Sequence, residues 1–372
     1  MDFTLNEEQQ ALQGLAKQIL TDKGTLERLK EHSEGHWFDR DTWSEFASAG
    51  LLGVAIPEEY GGLGFSFLEL CLVLAEQGRR VVPMPLLATL VCGALPISMF
   101  GTDEQKGAYL PSVADGSRIM TGAYEEFGAD PETPSTTATR SGDGDSSGWV
   151  INGIKTAASA AGLATEILIP VTTPEGIGIF ILDTKAQGVT IARQEMMTHA
   201  RFEITLEDVK VDGAALLGGI LDDGSALRLI LDHVTTAVCA ISAGCAQEAI
   251  RIAAEHVTNR FQFDRPLATF QAVGQRMADS FIDTQAMNLT MLSAASHLSL
   301  GEPAREQVAS AKYWAAEGGS RVGFAVLHVH GGISIDLDYP IHRYFLWMKM
   351  NEFTLGAATP TLLRLGRMIA AS

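Results

Sequence analysis

Three stretches of this 372-residue chain hold residue types that can do chemistry. The first is "RFQFDRPLATFQAVGQRMAD", Arg260 to Asp279. Here Arg260 could clamp a phosphate bidentately, with Phe263 and Phe270 as an apolar wall. The same stretch also reads as a corner between two helices whose arginines are merely solvated. The second is "HVHGGISIDLDYPIHRYF", in which Gly331 and Gly332 follow a helix. A glycine there can be a plain C-cap, or it can mark close approach of backbone to a ligand. His328 and His330 are two residues apart, so on a helix they face different ways and make no metal pair. The third is "RYFLWMKMNEFTLGAATP", Arg343 to Pro360, with one carboxylate, Glu352, before a corner of small residues. A carboxylate can accept a proton from carbon, but near a helix end it is also an ordinary polar residue.

These stretches must be positioned by the elements around them. Residues 1 to about 118 read as helices. "NEEQQALQGLAKQIL" has helical apolar spacing with Asn6 as cap. "DRDTWSEFASAGLLG" starts on acids and should end at Gly53. A turn-rich loop, "IPEEYGGLGFS", leads into the helical "FLELCLVLAEQGRR". From about 119 the chain turns β-like. "GWVINGIKT", "ATEILIPVTT", "GIGIFILDT", "GVTIARQ" and "RFEITLEDVKVD" are short, β-branched and broken by turn residues. "RSGDGDSSGW" has the composition of a hairpin loop, and the zone reads as a small antiparallel domain. From about 225 the chain is helical again. One run exceeds thirty residues, a second helix begins at Pro266, a third is loosened at Gly318-Gly319, and the fourth is interrupted at "LGAATP". The expected division is 1–118, 119–224 and 225–372, mostly α with a β middle domain and a C-terminal four-helix bundle.

Composition narrows the function further. With 46% hydrophobic residues the chain can bury a large core over more than one layer. No apolar run is read as approaching the roughly 20 residues of a membrane span. The acidic, polar "MDFTLNEEQQ" is unlike a signal or transit peptide, so a soluble cytoplasmic protein is expected. Cys71, Cys92, Cys239 and Cys245 sit in apolar surroundings without a CxxC pair, and read as buried reduced thiols. A formal net charge of −18 argues against nucleic acid as partner. It leaves room for a nucleotide-like ligand held by a few local arginines.

In order and spacing these pieces resemble the acyl-CoA dehydrogenase family over nearly the whole chain. "WSEFASAGLLGVAIPEEYGGLG" is similar to the family's N-terminal signature. "RFQFDRPLATFQAVGQRMAD" is similar to its Arg-x-x-Phe-Gly-x-Pro-x-x-x-x-Gln segment, and "HVHGGISIDLDYPIHRYF" lines up without gaps with its Gly-Gly segment. The resemblance implies an N-terminal helical domain, a middle β-domain, a C-terminal bundle, bound FAD, and desaturation of acyl-CoA thioesters between Cα and Cβ. It also implies an electron-transfer flavoprotein or similar acceptor. The resemblance assigns the nucleotide side of the flavin to Arg260, Phe263, Leu267, Phe270, Gln271, His328, Gly331 and Gly332, offered to a neighbouring subunit. His328 stands where the family has glutamine.

Other family positions are changed. Counting from Arg343 and Tyr344, the family's glutamate base falls on Leu355, with Gly356 in register. The alternative base position, on the first bundle helix, is Val234. Neither side chain can accept a proton. The ring-contacting Thr-Glu-Pro-Gly-x-Gly-Ser-Asp loop reads "GAYEEFGADPETP", and the Trp-Ile-Thr turn reads "KTAASAAG", with Ala157 for the tryptophan and Ser159 keeping a hydroxyl. The pattern resembles the non-catalytic subunit of actinobacterial α2β2 acyl-CoA dehydrogenases of the steroid type. The expectation is therefore a subunit with no catalytic residue and no metal of its own, sharing FAD with a glutamate-bearing paralogue. Two alternatives remain: a self-sufficient dehydrogenase whose base moved to Glu352 or Asp232, and a non-enzymatic CoA-thioester-binding or scaffold protein.

Overall fold

A computed structural model describes residues 3–32, 37–141, 148–196, 198 and 200–371. The chain forms two compact units, one of Met1–Thr42, Ser66–Pro83 and Thr235–Ser372, the other of Trp43–Phe65 and Met84–Val234.

The first unit is helical. It contains α1 (Glu7–Lys23), α2 (Leu26–Glu31), the first residues of α3 (Arg40–Ser48), which continues into the other unit, and α4 (Phe67–Arg80). Asn6 caps α1 through a reciprocal bond pair with Gln9, and Ser66 does the same for α4 with Glu69. The second unit supplies a π-helical stretch, Leu87–Ala94, followed by α5 (Leu95–Phe100) and α6 (Asp103–Ala114). "DRDTWSEFASAGLLG" stops being α-helical at Ser48 rather than Gly53. Gly50 adopts φ +74, a left-handed stop, and Leu51–Gly53 forms one 3₁₀ turn.

The sheet of the second unit comprises β1 (Met120–Gly122), β2 (Thr137–Ser141), β3 (Gly148–Ser159), β4 (Glu166–Thr173), β5 (Gly176–Asp183), β6 (Val189–Gln194) and β7 (Arg201–Val211). Its order is β1-β4-β2-β3-β7-β6, with β5 on β4. All five strands read from the sequence are present. The sheet is mixed rather than antiparallel, because the short β1 and β2 both run parallel to β4. The loop expected between β2 and β3, residues 142–147, lies outside the described residues. Strand β3 carries a bulge between Lys155 and Ala158 against β7, which throws Ala157 to φ +54.

The last helices are α7 (Ser225–Asn259), α8 (Gln271–Ser299), α9 (Arg305–His330), α10 (Ile341–Phe353) and α11 (Ala358–Ala371). In the first unit α9 packs on α8, α10 and α11, and α4 packs on α1 and α8. Gly78 and Gly244 let α4 and α7 cross closely. A Cβ at either would fall about 2 Å from a backbone oxygen of the other helix, 2.1 Å from that of Ile241 and 1.9 Å from that of Ala75. By length and hydropathy α7 does qualify as a membrane span, contrary to the sequence expectation, with a mean hydropathy of 1.5. Yet 89% of that window is buried within the protein, so its apolarity is that of a core helix. Helix α9 runs unbroken through Gly318-Gly319, where the missing side chains admit Met287. All four cysteines are buried and free, and burial pushes the Cys92 thiol up to about 12.

Candidate functional site

Helix α8 does not begin at Pro266. Between α7 and α8 the chain makes a miniature hairpin of β8 (Phe261–Gln262) and β9 (Arg265–Pro266), then a 3₁₀ turn, Leu267–Thr269. Its tip, Phe263 and Asp264, has φ +53 and +59, the doubly left-handed geometry of a tight hairpin turn. The tip holds Phe263 out at 85% exposure, with its ring edge-on to Phe270 at 6.2 Å. Arg265 stacks over the other aromatic, its guanidinium 4.0 Å from the Phe270 centroid. Leu267 and Phe270 are half-buried and Gln271 is exposed. Helix α8 has no side-chain cap at Phe270 and no acid in its first turn. Its leading N–H groups and dipole thus favour an anion. Among the described residues the exposed Arg260 guanidinium enters no ion pair or side-chain hydrogen bond.

The Gly-Gly segment lies at the same end of this unit. The His256 and His330 rings stack at 4.3 Å, which ties the C-terminus of α7 to that of α9. His330 Nδ1 lies 2.6 Å from the Val326 oxygen and Nε2 3.1 Å from the Tyr339 hydroxyl. Burial lowers the pKa of both histidines, and the charge of Arg260 lowers that of His256 further. An open cavity of about 580 Å³ is lined by Arg80, Arg251, His256, Arg260, Ile333 and Tyr339, among others. Gly331 caps α9 at φ +60, ψ −138, a conformation open to glycine. Gly332 is different. A Cβ there would meet no described atom within 4 Å, so among the described residues nothing requires a glycine. His328 is exposed and points away from the buried His330, and among the described residues no metal-binding group of side chains occurs. The structure thus brings Arg260, Phe263, Leu267, Phe270 and Gln271 into one surface, with Gly331 and Gly332 beside the same helix ends.

The turn in which the resemblance places the base is a left-handed corner. Leu355 has φ +57 and is 6% exposed, and Gly356 follows at φ +106. A left-handed non-glycine residue costs on the order of 1 kcal/mol. Beneath it the buried Lys312 ammonium donates to the carbonyls of Asn351 (2.6 Å) and Glu352 (3.2 Å), holding the end of α10. The Glu352 carboxylate itself is taken by Lys349 Nζ at 2.6 Å. In the second unit, Val234 is 3% exposed. Asp232 lies two residues earlier on α7, about 200° round the helix, and is half-buried.

In the second unit, the two segments that would meet a flavin ring are fastened to each other. The Thr156 amide donates to the Glu125 oxygen at 2.8 Å. The Glu126 carboxylate accepts from Lys155 Nζ (2.5 Å), Thr136 Oγ1 (2.7 Å) and the amides of Ser135 and Thr136. These donors outweigh the cost of burial and hold its pKa down at about 2. Tyr124 is buried, and its hydroxyl donates to the Cys92 oxygen at 2.7 Å. The bulge is then closed from β6 and β7. Gln194 accepts from the Ala157 amide (3.1 Å) and donates to Thr156 Oγ1 (2.9 Å), while Arg201 donates to the Ala157 oxygen (3.0 Å). Ser159 keeps its hydroxyl, and its backbone carbonyl oxygen accepts from Thr121 Oγ1 at 2.7 Å. Of these locking residues, sequence reasoning missed Gln194 and Arg201. Their partners are set by strand register, which local patterning does not give.

The helical elements and the seven-stranded mixed sheet are those of an acyl-CoA dehydrogenase fold. Models of the acyl-CoA dehydrogenase N-terminal domain and C-terminal domain match residues 6–117 and 225–369, and the chain belongs to this family, whose members bind FAD. Among its relatives is acyl-CoA dehydrogenase FadE27 of Mycobacterium tuberculosis, 35% identical over 100% of this chain and 99% of that protein. Among solved structures, the Tcur3481-Tcur3483 steroid ACAD matches at 42% identity and a TM-score of 0.91, covering 99% of both chains. The ChsE4-ChsE5 complex from Mycobacterium tuberculosis matches at 35% identity and a TM-score of 0.92, covering 100% of both.

Proposed function

We propose that this chain is the base-less subunit of a heteromeric acyl-CoA dehydrogenase. It lends the nucleotide side of FAD its grip and leaves deprotonation to a glutamate-bearing paralogue. The single observation that carries the reading is Leu355, a buried hydrocarbon held in the left-handed turn where the family places its base. Removing the thioester's α-proton needs a carboxylate or a similar acceptor, and neither Leu355 nor Val234 is one. Glu352 is a poor substitute, because its carboxylate is already paired with Lys349.

FAD, when bound, supplies the hydride acceptor. The residues of this chain fit one end of it. Arg260, unpaired among the described residues, would take the pyrophosphate as a charge-assisted fork. Phe263, Leu267 and Phe270 would wall the adenosine, and Gln271 and His328 would offer hydrogen bonds. The open space over Gly332 would allow backbone to approach the nucleotide. The ring end does not fit: Ala157 removes the family's tryptophan and the turn's polar groups are bonded internally.

The named relatives support a heteromer, since two of the similar structures are pairs of different chains, one described as a steroid ACAD. A steroid-CoA thioester is accordingly the substrate class we favour for the assembly. The test is expression of this chain alone and with a paralogue carrying the glutamate. The lone chain should be colourless and inactive with an acyl-CoA and an electron acceptor, and the pair yellow and active. Turnover by the lone chain overturns the proposal.

A further inference from the structure

The erosion of the ring side is more than a loss of contacts. We infer that Gln194 and Arg201 form an internal clamp on the Thr156–Ala157 bulge that shuts this chain's own half-site against the flavin ring. The inference deepens the subunit reading and rests on it.

Three observations lead there. A bulge in a strand leaves backbone groups outside the ladder, and those groups need partners or a ligand. At Ala157 both are consumed by side chains. Gln194 takes the N–H and Arg201 the carbonyl. Gln194 and Arg201 face each other in the β6–β7 register, and Arg201 also faces Ser159 of β3. The clamp therefore sits across three adjacent strands at the end of the sheet that carries the family's ring-contacting turn.

The second observation is the arginine itself. Arg201 is 6% exposed, an uncommon state for a guanidinium. Burying that charge is costly unless carbonyls and acids surround it. Ala157 and the electrostatic attraction of Glu125 supply part of that environment. A side chain so enclosed does not swing out to admit a ligand at low cost. Thirdly, the loop that would complete the ring contacts is drawn onto the same turn by Lys155–Glu126 and by the Glu125–Thr156 bridge. Both segments are thus held against each other rather than left as an open cleft.

The test uses the co-purified complex with the glutamate-bearing paralogue, saturated with FAD and desalted, with flavin absorbance read per chain. The wild-type complex should hold one flavin for every two chains. Restoring the aromatic alone, Ala157→Trp, should leave that ratio unchanged, because the clamp remains. Ala157→Trp combined with Gln194→Ala and Arg201→Ala should raise it toward one flavin per chain. A folded triple variant that still holds one per two overturns the clamp but leaves the subunit reading standing. A wild-type complex already holding one per chain overturns both. If the triple variant fails to assemble, hydrogen exchange of the Ala157 amide decides. It should be slow in the wild-type complex and accelerate at least tenfold in Gln194→Ala. Fast exchange in the wild type overturns the clamp.

Discussion

The nucleotide-side surface and the ring-side turn are opposites in how their polar groups are satisfied. At the first, Arg260 has no partner among the described residues, α8 starts uncapped, Phe263 stands in solvent, and no described atom lies near Gly332. At the second, Ala157, Thr156, Glu126 and Lys155 are all bonded within the same sheet and loop. Unsatisfied groups at a surface keep their full capacity for a ligand or a neighbouring chain. Satisfied ones have spent it on the fold. On the proposed subunit reading, the contrast teaches that giving up a half-site need not leave a hole: the turn at Ala157 is self-supporting, while the surface around Arg260 stays open.

That contrast can be broken most severely at Lys155. Replacing Lys155 by Met strands the Glu126 carboxylate in a buried position, and breaking such a pair costs roughly 3–5 kcal/mol. Thermal unfolding should register this as a large loss. The pH dependence follows from the Glu126 side of the pair. Its folded pKa is about 2, below the ordinary value of 4.5. Its stabilisation is therefore present above pH 4.5 and lost as pH falls from there toward 2. Acid unfolding of the wild type should steepen in this window, and the Lys155→Met variant should lack that steepening.

Arg260→Ala tests the other side. The guanidinium is exposed and unpaired among the described residues, so melting of the lone chain should not change. FAD retention by the complex should fall by about 10- to 100-fold, the scale of one lost charge-assisted bond of roughly 1.5–3 kcal/mol. Arg260→Lys should recover only part, because an ammonium cannot fork onto a pyrophosphate. Equal flavin retention in Arg260→Ala would remove the nucleotide role of this surface.

Paired glycine changes sharpen the comparison further. Gly331→Ala forces an alanine into φ +60, ψ −138 and should destabilise the chain by roughly 1–3 kcal/mol. Gly332→Ala adds a methyl group where nothing lies within 4 Å. It should leave the melting temperature unchanged and weaken FAD binding by the complex. The smallest effect is expected from Glu352→Gln. It removes a surface-proximal pair with Lys349, worth less than about 1 kcal/mol, and should leave the turnover of the complex intact. A collapse of the rate would instead mark Glu352 as the base.

Much of this was legible in the sequence, for identifiable reasons. Asn6 and Ser66 announce helix starts through their partners three residues on, and five strands stand out by β-branched runs between turns. The left-handed turn at Leu355 could be located by counting from Arg343 because α10 is an uninterrupted helix from Ile341 to Phe353. The start of α8 was not legible. Pro266 is a favoured first residue of a helix, yet here it pairs with Phe261 across a turn made by Phe263 and Asp264. Such a turn is normally signalled by Asn-Gly or Asp-Gly, and neither is present. The parallel pairing of β1 and β2 with β4 escaped notice because both are five residues or fewer. Arg201 opens a strand whose charged residues look solvent-facing. Only the register against Ser159 and Gln194 reveals that it is buried.

The most direct test of the central claim is reconstitution with the base moved between chains. In a complex whose paralogue has its glutamate changed to glutamine, the account predicts bound flavin and no turnover of an acyl-CoA. Turnover that survives this change would place the base on the present chain and contradict the account.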